Sequence, residues 1–149
     1  MPRPFLVVAI ALTAGAAHAA SFRSGPLEVT QPWSRPAVMG FSGVGYMRVS
    51  NHGREAETLI GVESPIASHV EMHRSMMKDG VMSMAPAPRV AIPPGGSVTF
   101  APGGYHLMFM DLKRNLKPGD RAPATLIFSD HRRISVSFEV TSGEAPEGH

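Results

Sequence analysis

Polar and apolar residues alternate in short runs along the chain, a pattern that predicts β-strands. In the run 133–141, Val136, Phe138 and Val140 alternate with polar neighbours, as in a strand with one face in water. No stretch after residue 20 shows the periodicity of a helix. The runs that we predict to be strands are 26–30, 41–50, 57–64, 69–78, 81–86, 89–92, 97–100, 105–112, 123–129 and 133–141. Short strands at this spacing predict an all-β fold, either a sandwich or a small barrel.

Asp79-Gly80 separates two of these strands and predicts a tight hairpin, because a two-residue turn of this type needs positive φ at both positions. The turn would set the register between the two strands. The predicted pairs are Lys78 with Val81, Met77 with Met82, and Ser75 with Met84. His73 then shares a face with Met84 and is its diagonal neighbour, at a backbone separation of about 7–8 Å.

A second strand, 105–112, carries donors of the same chemical kind. His106, Met108 and Met110 alternate with the other residues and so occupy one face. His106 and Met108 are roughly 6.6 Å apart along the strand. Together with His73 and Met84 they give two imidazoles and two thioethers on three strands. We predict that these four side chains form a metal site.

The amino-acid composition favours one metal. The chain has no cysteine and ten methionines, seven of which lie between residues 72 and 110. Thioethers select Cu(I), whereas zinc would be expected to use thiolate or carboxylate, and calcium or magnesium an oxygen cage. The lack of a thiolate argues against a blue-copper electron carrier. The competing interpretation is a core His beside Met residues that fill gaps.

The first residues differ from the rest of the chain. One basic residue precedes the uncharged apolar run 5–17, and a small-x-small cleavage pattern follows. The run is too short to cross a bilayer, which needs about 20 apolar residues. We therefore predict that residues 1–19 are a secretory signal peptide, cleaved after Ala19 or Ala20, and that the mature protein is exported without stable membrane insertion.

The length of 149 residues predicts a single folded domain, which we place at residues 20–142. The polar, Pro- and Gly-rich tail 143–149 is expected to be flexible. Without Arg3 the chain has 13 basic and 12 acidic residues, and the basic ones are scattered. This near-neutral charge argues against nucleic acid or an anionic membrane as a partner.

The spacing of the four donors resembles the motif of a periplasmic copper chaperone family often called PCu(A)C. The family motif is a His, ten residues, a Met, twenty-one residues and then His-x-Met, and His73, Met84, His106 and Met108 match every interval. Other segments similar to the family are Pro32–Arg35, Val70–His73, Lys78–Met82, Ile92–Gly96, Pro102–Met108 and Lys117–Asp120. The resemblance covers about residues 26–140. Met72 departs from the aliphatic residue that is common before the first His.

The resemblance implies a cupredoxin-like Greek-key β-sandwich or barrel that binds one Cu(I) through the two His and two Met. It also implies a monomeric periplasmic chaperone, not an enzyme. Its partner would be a copper-accepting protein in cytochrome c oxidase assembly, either an oxidase subunit or a thiol-bearing assembly factor. The alternatives are copper storage or resistance, a copper-dependent redox enzyme, and a metal-free secreted β-sandwich that binds partners.

The remaining His and Met residues receive other roles. We expect most of the methionines Met72, Met76, Met77, Met82 and Met110 to pack around the site, with Met82 the first choice for an auxiliary ligand. His69 is expected to be a surface residue or a neighbour of the ligands, and His52 a solvated turn residue. His131 is placed in a hairpin loop and His149 in the tail, where each could bind Cu(II) weakly.

Overall fold

The computed structural model describes residues 20–142, which form eleven β-strands and no helix. The predicted signal peptide (1–19) and tail (143–149) lie outside the described residues. The strands are β1 (Ser21–Ser24), β2 (Leu27–Ser34), β3 (Gly43–Asn51), β4 (Glu57–Glu63), β5 (Ala67–Lys78), β6 (Val81–Pro86), β7 (Val90–Ile92), β8 (Ser97–Phe100), β9 (Tyr105–Leu112), β10 (Arg121–Phe128) and β11 (Arg133–Val140). The all-β prediction is confirmed. No helix long and apolar enough to cross a membrane occurs between residues 20 and 142.

The strands form one mixed sheet in the order β6-β5-β9-β8-β3-β2-β11-β10-β4-β7, with β1 paired to β2. Most pairs are antiparallel, but β8 with β9 and β11 with β2 are parallel. β9 also pairs with β3, so β9 lies between β5 on one side and β3 and β8 on the other. The donors predicted on β5, β6 and β9 therefore lie on three strands that are adjacent in the sheet.

The strand prediction has two errors at the start of the chain. β1 was not predicted, and β2 extends four residues beyond the predicted end at residue 30. The second error has a physical cause. The pairing of β2 with β3 shifts between Thr30 and Trp33, and Gln31 has a φ of 53°. A bulge of this kind lets the strand continue past Pro32, which cannot donate to a regular ladder.

The core is built largely from aromatic and branched side chains of the inner faces. The fully buried phenylalanines are Phe100, Phe109, Phe128 and Phe138. Phe109 on β9 meets Phe138 on β11 edge to face, with ring centroids 5.5 Å apart. Gly45 on β3 makes room for this pair, since a Cβ there would lie 2.7 Å from the Phe109 ring. Close packing of β3 against this ring fixes β9, the strand that carries His106 and Met108.

The hairpin of β5 and β6 has the predicted register, with Lys78 opposite Val81 and Ser75 opposite Met84. Asp79 and Gly80 both have positive φ, at 52° and 76°. β9 pairs with β5 only as far as Arg74, so the end of the hairpin extends beyond the third strand. Its apolar side chains are exposed, namely Met76, Met77, Val81, Met82 and Met84.

Candidate metal centre

His73 and His106 lie directly opposite each other on β5 and β9. Their ring centroids are 5.8 Å apart and the rings are tilted by 52°. His106 is buried, with 6% of its surface exposed, and the side chain of His73 is 19% exposed. Directly paired residues of antiparallel strands share one face of the sheet. The structure therefore brings both predicted imidazole ligands into contact range on the same face.

The two predicted thioethers flank this pair on the same face. Met108 follows His106 by two residues on β9 and is half-buried. Met84 lies on β6 opposite Ser75, which makes it the diagonal neighbour of His73. Met84 is 58% exposed. The arrangement thus has a buried side, formed by His106 and Met108, and an open side formed by Met84.

Hydrogen bonds fix which nitrogen of each ring carries a proton. The Nδ1 of His106 lies 3.1 Å from the carbonyl oxygen of Gly104, which can only accept, so this nitrogen donates. Its Nε2 then keeps a free lone pair when the ring is neutral. The Nε2 of His73 lies 3.1 Å from a carboxylate oxygen of Glu71. The other nitrogen of His73, Nδ1, is buried and has no hydrogen-bond partner among residues 20–142.

This arrangement fits a metal ion. A metal about 2 Å from one nitrogen of each ring lies roughly 3 Å from each centroid, so two rings that share an ion have centroids within about 6 Å. The observed 5.8 Å meets this condition. Buried polar atoms are normally hydrogen-bonded. A buried imidazole nitrogen without a hydrogen-bond partner, next to a second imidazole, is therefore the arrangement expected of a metal ligand. The adjacent sulfur atoms add soft donors to the two nitrogens.

The other methionines divide between the two faces of β5, β6 and β9. Met72 is buried in the core, opposite Leu107. Met76 lies on the face opposite His73, whereas Met77 and Met82 form a cross-strand pair on the face of His73, nearer the hairpin turn. Met110 lies opposite His69, and its sulfur accepts a hydrogen bond from Ser42 at 3.6 Å. Met77, Met82 and Met110 therefore lie on the face of the candidate site, whereas Met72 and Met76 do not.

Aromatic residues lie on both sides of β9 near the candidate site. Tyr105 lies on the opposite face from His106 and packs against Phe100, with ring centroids 5.5 Å apart. Tyr46 on β3 lies one residue beyond the Gly45–Leu107 pair, which places it on the face of His106. Burial raises the pKa of the Tyr46 phenol, although the nearby Arg35 guanidinium opposes the change.

Tyr46 is part of an aromatic cluster at the inner end of the site. Its ring lies 4.6 Å from that of Trp33, its partner on β2. The Arg35 guanidinium lies 5.4 Å from the Tyr46 centroid and 6.0 Å from that of Trp33. A guanidinium over two aromatic faces is a stabilising contact. These residues make a closed, largely apolar boundary beside His106, while the side toward β6 stays open.

The remaining described histidines have separate surroundings. His69 lies 3.6 Å from Glu71, whose other oxygen contacts His73, so the prediction that His69 neighbours the ligands agrees with the structure. His52 was predicted to be solvated, and it lies half exposed, 3.3 Å from Glu28. Its hydrogen bond to Glu28 is the main reason that the pKa of this carboxyl group is lowered. His131 occupies the turn between β10 and β11. His149 lies outside the described residues.

Glu71 and Tyr46 are the two neighbours of the candidate site that the sequence analysis missed. For Glu71 a signal was present, because it precedes His73 by two residues on a strand and so shares its face. For Tyr46 no local signal existed. Its position depends on the pairing of β3 with β9, strands more than 50 residues apart in the chain.

A family model for LpqE-like lipoproteins matches residues 27–140. The chain belongs to the LpqE-like family. It is also 32% identical over 115 residues to the lipoprotein Lxx21020 of Leifsonia xyli subsp. xyli, an alignment that covers 76% of this chain and 69% of the relative. A protein of Rickettsia prowazekii, RP573, is 27% identical over 117 residues, or 65% of its own length. The chain thus spans about two thirds of these relatives.

Solved structures similar to this LpqE-like chain include PCuAC domains. The copper-bound PCuAC domain from PmoF2 matches with a TM-score of 0.70 and 26% identity, over 85% of this chain and 99% of that domain. The Cu(I) form of DR1885 from Deinococcus radiodurans matches with a TM-score of 0.55 and 27% identity, over 76% of this chain and 78% of that protein. These similarities confirm the predicted cupredoxin-like fold and the resemblance to the PCu(A)C family.

Proposed function

We propose that this LpqE-like chain is a copper chaperone that binds one Cu(I) through His73, Met84, His106 and Met108. The observation that carries the proposal is the direct pairing of His73 with His106, with a buried, orphaned Nδ1 on His73. Two sulfur atoms on the same face supply the soft donors that favour the cuprous ion. The copper-bound structures among its relatives support the same metal.

The site suits a carrier because its ligands differ in exposure. His106 is buried, whereas Met84 is more than half exposed. An acceptor's sulfur could displace Met84 first and the buried imidazole last, so that copper moves by ligand exchange and is never free in solution. Neither step requires a transition state to be stabilised, so the proposal includes no catalytic residue. Two thioethers also favour the reduced ion, which disfavours a redox enzyme that must cycle through Cu(II).

The proposal extends to location and partner. An exported protein in an oxidising compartment needs a copper site that cannot be lost to disulfide formation, and a site without cysteine has this property. We therefore propose a periplasmic chaperone that delivers copper to the assembly of cytochrome c oxidase, either to a subunit or to a thiol-bearing factor. Storage or resistance is the second candidate. A single ion per chain favours delivery over storage.

The ligand set can be counted directly. X-ray absorption of the Cu(I)-loaded protein should show two nitrogen and two sulfur neighbours, because the proposal assigns two imidazoles and two thioethers. The His52→Ala variant is the control and should give the same spectrum, since His52 lies on another part of the surface beside Glu28. A shell made only of nitrogen and oxygen would rule out the proposed site.

Loss of a thioether should affect the two copper ions differently. Replacing Met84 by alanine should weaken Cu(I) binding by at least about 10-fold and leave Cu(II) binding nearly unchanged, because sulfur prefers the softer ion. Competition titrations with a chelator specific for each ion measure both affinities. Met76→Ala is the matched control, since Met76 belongs to the same hairpin but faces away from His73. Equal losses for the two ions in Met84→Ala would contradict a thioether ligand.

A further inference from the structure

Glu71 is a charged residue in direct contact with His73, one of the two paired imidazoles. It lies on β5, two residues before His73, and shares the face of the candidate site opposite Met108. Its Oε2 is 3.1 Å from the Nε2 of His73, and its Oε1 is 3.6 Å from the Nε2 of His69. One carboxylate thus contacts both histidines of β5 through its two oxygens.

This contact determines the tautomer of His73. An ionised carboxylate has no proton to donate, so the nitrogen that it contacts must be the donor. In a neutral His73 the proton is then on Nε2 and the lone pair on Nδ1. The Nδ1 is the buried atom that has no hydrogen-bond partner among the described residues. The free lone pair is consequently held in the interior, next to His106.

His106 is held in the opposite way. Its Nδ1 donates to the carbonyl oxygen of Gly104 at 3.1 Å, which leaves its lone pair on Nε2. The protein therefore offers one ring through Nδ1 and the other through Nε2. Histidines that bind metals commonly donate their second nitrogen to a carboxylate or a backbone carbonyl, and these partners set the tautomer and the orientation of the ring. Both types of partner occur here, one on each imidazole.

We propose that Glu71 is a positioning residue that selects Nδ1 of His73 as the copper-binding nitrogen, while the Gly104 carbonyl selects Nε2 of His106. This inference rests on the proposed function, since it names the atoms through which that site binds Cu(I). Without Glu71, His73 would exchange between its two tautomers. Part of the population would then present a proton, not a lone pair, toward the metal position. Copper binding would have to reverse that exchange, and the affinity would fall.

The test begins with the metal-free protein, in which long-range ¹H–¹⁵N spectra identify the protonated nitrogen of each imidazole. The wild type should show His73 protonated on Nε2 and His106 on Nδ1. Glu71→Leu should give a mixture of tautomers at His73 and no change at His106. Glu71→Gln should keep only part of the wild-type tautomer, because its amide oxygen can accept this hydrogen bond but its NH2 group can instead donate to the other tautomer. His69→Ala is the matched control, since it removes the other partner of Glu71 and leaves the contact with His73.

Cu(I) titrations against a competing chelator provide the second readout. Glu71→Leu should lose about 10–100-fold in affinity, the usual effect of removing a carboxylate behind a ligating histidine. Glu71→Gln should lose less than about 10-fold, since a neutral acceptor makes the weaker hydrogen bond. On loading, the Nδ1 resonance of His73 should shift while Nε2 keeps its proton. The side chain of Glu71 is 45% exposed, so both variants should fold, and thermal unfolding verifies this.

Two results would overturn the inference while the proposed function remained intact. One is wild-type protein that binds Cu(I) through Nε2 of His73. The other is Glu71→Leu protein with an unchanged tautomer and unchanged affinity. If the proposed function is wrong, the wild type itself binds no Cu(I). The assignment of copper-binding nitrogen atoms is then wrong as well. The tautomers of the metal-free protein report on Glu71 without any copper.

Discussion

The His106→Ala variant is expected to lose at least about 100-fold in Cu(I) affinity. Removal of a residue that hydrogen-bonds to a metal-binding histidine lowers the metal affinity by about 10–100-fold. Removal of the histidine itself should lower the affinity by more than that. His106 is also the more deeply buried of the two imidazoles, with 6% of its surface exposed, so water cannot easily replace it. The affinity is measured by competition with a Cu(I) chelator of known strength.

The controls for this variant separate a lost ligand from a disturbed fold. His131→Ala removes a histidine from the distant turn between β10 and β11 and should leave Cu(I) affinity unchanged. The metal-free His106→Ala protein should still unfold cooperatively but at a lower temperature than the wild type, since it loses a buried ring and its hydrogen bond to a backbone carbonyl. Wild-type affinity in a folded His106→Ala protein would exclude this residue from the site.

The Phe109→Ala variant should show the largest loss of stability, about 3–5 kcal/mol in the free energy of unfolding. The ring is fully buried and packs against Phe138, so its removal combines lost burial with a cavity. A domain of this size has a total stability of about 5–15 kcal/mol, so this loss is a substantial share of the free energy of unfolding. Denaturant titration of the metal-free protein measures the change.

Phe41→Ala is the matched control, because Phe41 is 71% exposed in the connection between β2 and β3. It should change the free energy of unfolding by less than about 0.5 kcal/mol. Because a ligand that binds only the folded chain stabilises it, saturating Cu(I) should offset part of this loss in Phe109→Ala, by about 2.7 kcal/mol at a hundred times the dissociation constant. A loss below 1 kcal/mol would mean that the Phe109 site collapses around the smaller side chain.

Local patterns were sufficient to predict the parts of the fold that depend on neighbouring residues. Asp79-Gly80 determined the hairpin register correctly, because a two-residue turn leaves one possible pairing. Because His106 and Met108 are two residues apart on one strand, the sequence predicted correctly that they share a face of the sheet. The extension of β2 was missed because Pro32 normally ends a strand, and only the bulge before Trp33 allows it to continue.

Other parts of the site depend on contacts that no local pattern contains. The pairing of His73 with His106 joins residues more than 30 positions apart, and the motif spacing predicted that they meet but not that they lie directly opposite. The hydrogen bond from His73 to Glu71 also requires side-chain geometry. The two-residue repeat of a strand places Glu71 on the face of His73. A carboxylate on an exposed face is usually solvated, however, so the repeat alone does not predict the hydrogen bond. The assignment of the four ligands to copper remains a prediction.

The four proposed copper ligands lie on strands that differ in how firmly the sheet holds them. His106 and Met108 are on β9, which has strands on both sides, whereas Met84 is on an edge strand with one neighbour. Among residues 20–142, the last backbone hydrogen bond from the β5–β6 hairpin toward β9 is the one from the Ser75 N–H to the Gly104 carbonyl, at 3.0 Å, and beyond it the end of the hairpin can tilt while the rest of the sheet keeps its hydrogen bonds. Met84 lies at the base of this arm, opposite Ser75, and is 58% exposed. If the proposed site binds copper, this sulfur can leave the ion while the other three donors stay in place, and no part of the core has to unfold.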